Sequence, residues 1–173
     1  MMVFQGTKDV WDSLFRAQGA TYQKPTLHFF TGAVDAACGQ ATSAVGPFYC
    51  PEDRKVYIDL SFYKQLSDQF GAPGQFAQAY VIAHEVGHHV QNLLGTSDKV
   101  ERAESQATSE AQRNRYSVAL ELQADFYAGV WAHWENINHQ NGLVLNSQDI
   151  ESALNVAHQI GDDHLEQQAG QTV

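Results

Sequence analysis

Positive charge is scarce in this chain of 173 residues: ten lysines and arginines stand against twenty aspartates and glutamates, a formal net charge of -10. A surface of that sign repels phosphate backbones, which argues against nucleic acid as a partner. Long apolar runs are missing as well. No stretch approaches the roughly 18 apolar residues that would cross a bilayer, and the start, MMVFQGTKDVW, lacks the apolar centre of a secretory signal. As it stands the sequence is expected to be soluble, and its abrupt start and polar end, EQQAGQTV, suggest a fragment. Cysteine is limited to Cys38 and Cys50. Their spacing excludes a CxxC metal site, and two residues establish no framework. Two unrelated thiols and a disulfide both stand at this point. A bridge over so short a loop would stabilise by about 2–4 kcal/mol and needs an oxidising compartment.

What is present is globular in kind. The hydrophobic fraction is 43%, and the length suits one well-packed domain over 1–173. Val3, Val10, Trp11, Leu14 and Phe15 are spaced for an amphipathic helix over 3–20, stopped by Gly19. Short β-rich pieces follow at 26–31, 45–50 and 55–60, with a turn-rich bridge at 32–39. Pro47 marks the second piece as an edge strand. The third alternates Val56, Ile58 and Leu60 against Tyr57 and Asp59, as a half-buried strand hairpinned to the one before. The segment between the cysteines also reads as a hairpin. A short helical stretch is expected at 61–70, a long helix at 75–94 and a charged surface segment at 98–112. A second long helix is expected at 113–138 and a third helix from a Ser147 cap to about Ile160. The predicted fold is α+β: a small, mostly antiparallel sheet packed on two long helices.

The first long helix carries His84-Glu85-Val86-Gly87-His88, an HExxH pattern. Two histidines four residues apart leave one helical face a turn apart and can share one metal ion. Glu85 lies one step round, within reach of a water on that metal. Two neutral imidazoles and one anionic ligand, with a fourth position left open, make a catalytic zinc site. There Glu85 would take the proton of the attacking water. The third ligand sorts the possibilities. An extended HExxHxxGxxH motif is excluded, since Gln91 and Leu94 stand at the positions it needs. On the second long helix Glu121 and Asp125 are again one turn apart, among Leu120, Leu122, Ala124, Phe126 and Tyr127. Glu121 is the candidate ligand. Asp125 is the candidate acceptor for the N–H of a ligand histidine, most simply His84. His89 is rotated well away from His84 and reads as a surface residue or one behind the ligands. Tyr49, Tyr127 and His158 are candidate donors to the oxyanion.

HEVGHHVQ, ELQADFYAGVWA and CGQATSAVGPFYCPEDRKVYID, in their order here, resemble the bacterial family known as the putative neutral zinc metallopeptidases, from about Thr26 to Asp163. The resemblance implies a compact zincin-like catalytic domain with His84, His88 and Glu121 as zinc ligands, Glu85 as base and a peptide or protein as substrate. It also implies an N-terminal membrane anchor outside this chain and further sequence beyond its end. An extracytoplasmic location is implied too, and with it a Cys38–Cys50 disulfide. Where such proteins often carry cysteine after ELQAD, this chain has Phe126. The edge strand at Val45–Tyr49 would receive an extended peptide by backbone pairing. Peptide deformylase also uses HExxH but draws a cysteine from a Gly-Cys-Leu type segment, which Phe-Tyr-Cys-Pro does not match. The alternative from another class is a non-catalytic, zinc-stabilised scaffold domain of the cell envelope.

Overall fold

The computed structural model describes residues 2–42, 45–62, 64, 68, 75–138 and 148–155. Helix α1 (Met2–Ala17) buries Phe4, Val10 and Trp11 on one side. It ends where the Ala20 N–H reaches the Phe15 carbonyl and the Gly19 N–H that of Arg16, with Gly19 at φ 73°. This is the Schellman stop, which glycine adopts without steric cost.

Among the described residues five strands follow: β1 (Thr26–Phe30), β2 (Ala33–Ala36), β3 (Gly39–Thr42), β4 (Phe48–Cys50) and β5 (Lys55–Asp59). They form two sheets, one of order β1-β5-β4 and one hairpin of β2 with β3. The antiparallel β4–β5 hairpin is as expected, with Tyr49 opposite Val56, but β1 runs parallel to β5. The bridge read as turn-rich holds β2 and the first residue of β3, and the Ala, Asp, Gly and Gln residues of these strands give little β signal. The stretch between the cysteines is not a hairpin: β3 pairs backward with β2 and β4 forward with β5. β5 is not half-buried either. As the central strand it buries Val56, Tyr57, Ile58 and Asp59 alike, and only Leu60 beyond it is exposed. Val56 and Ile58 face the helices, and Tyr57 faces a cluster with Phe30 and Cys50. Cys38 and Cys50 are joined by a disulfide that ties the hairpin to β4.

Helix α2 (Gln75–Leu93) lies at the centre, buried almost all round. Ile82, Val86 and Val90 pack on the sheet and α1, while Phe76, Ala79, Tyr80 and Ala83 pack on Val10, Ala128 and Trp131. Helix α3 (Thr96–Ser105) occupies the charged segment and buries no residue. Helix α4 (Glu110–Asn138) starts earlier than its apolar spacing suggests, because the Ser109 hydroxyl accepts the Gln112 N–H at 3.2 Å as a cap. Residues 148–155 are helical. The expected Ser147 cap, His158 and most of the helical stretch at 61–70 lie outside the described residues. Among the described residues, no helix is long and apolar enough to cross a membrane.

Candidate metal centre

The central crossing of the molecule is α2 against α4, and Gly87 sets its closeness. A Cβ at Gly87 would lie 2.9 Å from the Ala124 carbonyl oxygen and 3.1 Å from its Cα. Any side chain there would hold the helices apart. Ala124 is fully buried at the contact, one turn along from Glu121, so the short crossing is what brings the Glu121 carboxylate over the α2 histidines.

Three atoms converge there. His84 Nε2 lies 3.1 Å from His88 Nε2 and 3.2 Å from Glu121 Oε2, and His88 Nε2 lies 3.4 Å from the same oxygen. The far sides of both rings are fixed. His84 Nδ1–H donates to Asp125 Oδ1 at 2.8 Å, and the Tyr80 hydroxyl donates to that oxygen at 3.2 Å. His88 Nδ1 lies 2.9 Å from Gln91 Oε1. The Gln91 amide nitrogen donates to the Leu120 carbonyl at 2.7 Å and to Gln123 Oε1 at 3.1 Å, so its oxygen must face His88 and His88 Nδ1 must carry the proton. With both Nδ1 positions protonated, two Nε2 lone pairs and a carboxylate oxygen point at one another. Such a set repels itself unless a proton or a metal cation lies between, and the donor types suit zinc. His84, His88 and Glu121 therefore fit a zinc ion.

The electrostatics agree. Burial draws the His84 imidazole downward, but the hydrogen bonds to Asp125 and Glu121 and the charge of Glu85 outweigh it and push it up to about 10. Burial raises the Glu121 carboxyl, and the two histidines more than reverse this, holding it well below the usual carboxylate range. The cluster is built to surround positive charge. His84 and Glu85 are 2% and 1% exposed, while the His88 and Glu121 side chains keep 15% and 17%, so the site opens toward the latter pair.

Of the two readings of His89, a surface residue or one behind the ligands, the surface one is overturned. His89 is fully buried: Nε2–H donates to the Gln23 carbonyl at 2.6 Å, Nδ1 accepts the Tyr49 hydroxyl proton at 2.9 Å, and Asn92 donates to the same hydroxyl at 3.0 Å. Tyr49 is thereby committed inward and is no oxyanion donor. Tyr127 sits edge-on to Trp11 at 5.2 Å, on the side of α4 turned from Asp125. The edge at Val45–Tyr49 has only Phe48–Cys50 in strand form, after Gly46 at φ 72°. Gln91 escaped sequence reasoning, which weighed it only as a missing ligand. Its signal was its place three residues after His88 on one helical face.

The chain is 51% identical over 168 residues to Uncharacterized protein YpfJ of Escherichia coli strain K12, across 97% of this chain and 57% of that protein. It is 41% identical over 164 residues to Uncharacterized protein Rv2575 of Mycobacterium tuberculosis strain ATCC 25618 / H37Rv, across 91% of this chain and 54% of that protein. The chain thus spans little more than half the length of these relatives. No solved structure matches it. The model of the family described as "Putative neutral zinc metallopeptidase" matches residues 1–173, and the chain belongs to that family.

Proposed function

We propose that this chain is the catalytic domain of a zinc-dependent peptidase, with His84, His88 and Glu121 holding the metal and Glu85 as the general base. The observation that carries this is the convergence of two Nε2 lone pairs and a carboxylate oxygen while both Nδ1–H groups are held from behind. When bound, zinc supplies a Lewis acid that polarises a carbonyl and acidifies water. The chain's own residues do the rest. Asp125 and Gln91 hold each imidazole in the tautomer that presents Nε2. Glu85 takes the proton of the attacking water and returns it to the leaving amine. A purely structural zinc is closed by four protein ligands, and among the described residues the cluster offers three such groups. This favours the catalytic function over a scaffold. The Cys38–Cys50 disulfide supports an extracytoplasmic location.

Zinc content by elemental analysis, paired with cleavage of a peptide library, tests this. One zinc per chain with chelator-sensitive cleavage is expected. Glu85→Gln should keep the zinc and lose about 100-fold or more in rate, as removal of a general base does. Wild-type cleavage by that variant would sink the mechanism, and a chain that takes up no zinc would sink the function.

A further inference from the structure

Phe76, Tyr80, His84 and His88 succeed one another at four-residue intervals along α2, so the row that ends in the metal cluster begins in two aromatic rings. Beside those rings α2, α4 and the helical residues 148–155 enclose a groove of about 530 Å³. Pockets that hold small ligands and side chains span about 300–1,000 Å³. Two of its lining residues belong to the cluster's support: Asp125, which holds His84, and Tyr80, which donates to Asp125. The groove thus begins one imidazole ring away from the converging atoms. Its walls are mostly apolar, with Asp125, His133 and Asn136 among them, and open to water: Leu122, Phe126 and Leu154 are 62%, 66% and 59% exposed. Large apolar side chains left side by side in water mark a binding surface.

Gly129 forms part of the same lining. Glycine inside a helix costs about 1 kcal/mol relative to alanine, and a close approach commonly explains it, as at Gly87. Gly129 has no such neighbour, since a Cβ built there meets nothing within 4 Å. What the missing side chain leaves is open space in the groove.

We propose that this groove is a specificity subsite that receives a large aliphatic or aromatic side chain of the peptide being cleaved. This rests on the peptidase function proposed above. A peptide is the occupant because the groove shares Asp125 and Tyr80 with the support of His84. A chain with one side chain in the groove can follow α4 from Asp125 to Glu121, which lies one helical turn away and is partly exposed.

Gly129→Phe tests this, because a Cβ there meets nothing within 4 Å and a helical position favours a side chain over glycine. Cleavage sites in a peptide library should be enriched for Phe, Leu or Met at one fixed position relative to the scissile bond. Gly129→Phe should lower kcat/KM for those peptides about 10-fold or more, with zinc content unchanged and Tm equal or higher. A second arm uses the zinc-loaded Glu85→Gln protein and two fluorescein-labelled peptides that differ only in a central Phe or Ser. Anisotropy should show the Phe peptide bound about 10-fold more tightly, a preference lost on adding Gly129→Phe. Cleavage without apolar enrichment, or enrichment that survives Gly129→Phe, overturns the subsite and leaves the peptidase standing. Phe-selective binding lost in the double variant, without any cleavage by wild type, keeps the groove as a peptide site and overturns the peptidase. A concentration-dependent dimer abolished by Gly129→Phe would assign the groove to a second copy and overturn the proposal.

Discussion

On one side of α2, His88 turns Nδ1 to Gln91 and leaves Nε2 facing His84 and Glu121. On the other side, one residue and about 100° further round the helix, His89 commits both nitrogens to Tyr49 and Gln23. Burial lowers the His89 imidazole, so it stays neutral and tied to the sheet. The same side chain thus serves as a metal donor where its second nitrogen meets other lone pairs, and as a core strut where that nitrogen meets a proton donor. The residue type does not decide between them. The partners on the next layer do.

Exchanging each histidine for alanine would break the comparison most directly. His88→Ala should weaken zinc by more than the roughly 100-fold that loss of an outer partner brings, with metal-free stability within about 1 kcal/mol of wild type. His89→Ala should cost about 3 kcal/mol or more in unfolding, from a buried cavity and two polar groups left without partners. Its zinc affinity should stay within a few fold. Chelator competition and denaturant unfolding on both variants check this. Equal zinc loss from a folded His89→Ala protein would erase the distinction between the two faces.

A finer contrast lies behind the two donor histidines. His84 is backed by a carboxylate and His88 by a neutral amide. Asp125→Asn should lower zinc affinity toward the upper end of the 10–100-fold range for outer partners, and Gln91→Leu toward the lower end. The reverse order, measured by the same competition, would show that ring orientation outweighs charge.

Much of this was legible in the sequence, and the reason is periodicity. His84 with His88, and Glu121 with Asp125, repeat at the helical interval, which places each pair on one face whatever the rest of the chain does. Periodicity is silent where a helix is buried all round. Nothing in the spacing of α2 distinguishes the face holding His89 from a solvent face, because Val86, Val90 and Gln91 are buried as well. Pairing between distant strands is equally silent. Thr26–Phe30 and Lys55–Asp59 carry similar β-rich patterns, and their parallel register depends on α2 covering one face of the sheet.

The helix crossing sharpens the comparison at smaller amplitude. Gly87→Ala places a methyl against the Ala124 backbone, which cannot swing aside as a side chain would. Overpacking of this kind costs about 1–3 kcal/mol. Because the strain falls between α2 and α4, zinc affinity should drop with stability, whereas His89→Ala should separate the two. A Gly87→Ala protein with wild-type zinc affinity would show that the crossing can widen without moving Glu121.

The smallest effect on the metal should come from the disulfide, although its effect on the fold is not small. Cys50 packs with Phe30 and Tyr57 on the face of the sheet turned from α2, and its bridge to Cys38 spans a sequence separation of 12. Opening a loop of that length removes about 3 kcal/mol on the chain-entropy account. Val56 and Ile58, on the opposite face of β5, still seat α2. The paired change Cys38→Ala with Cys50→Ala should therefore lower Tm while zinc affinity in the folded protein stays within about twofold, a shift of roughly 0.4 kcal/mol. A larger loss of zinc would mean that strain in β4 reaches the ligands through Tyr49 and His89, which would join the two faces of α2 into one mechanical unit.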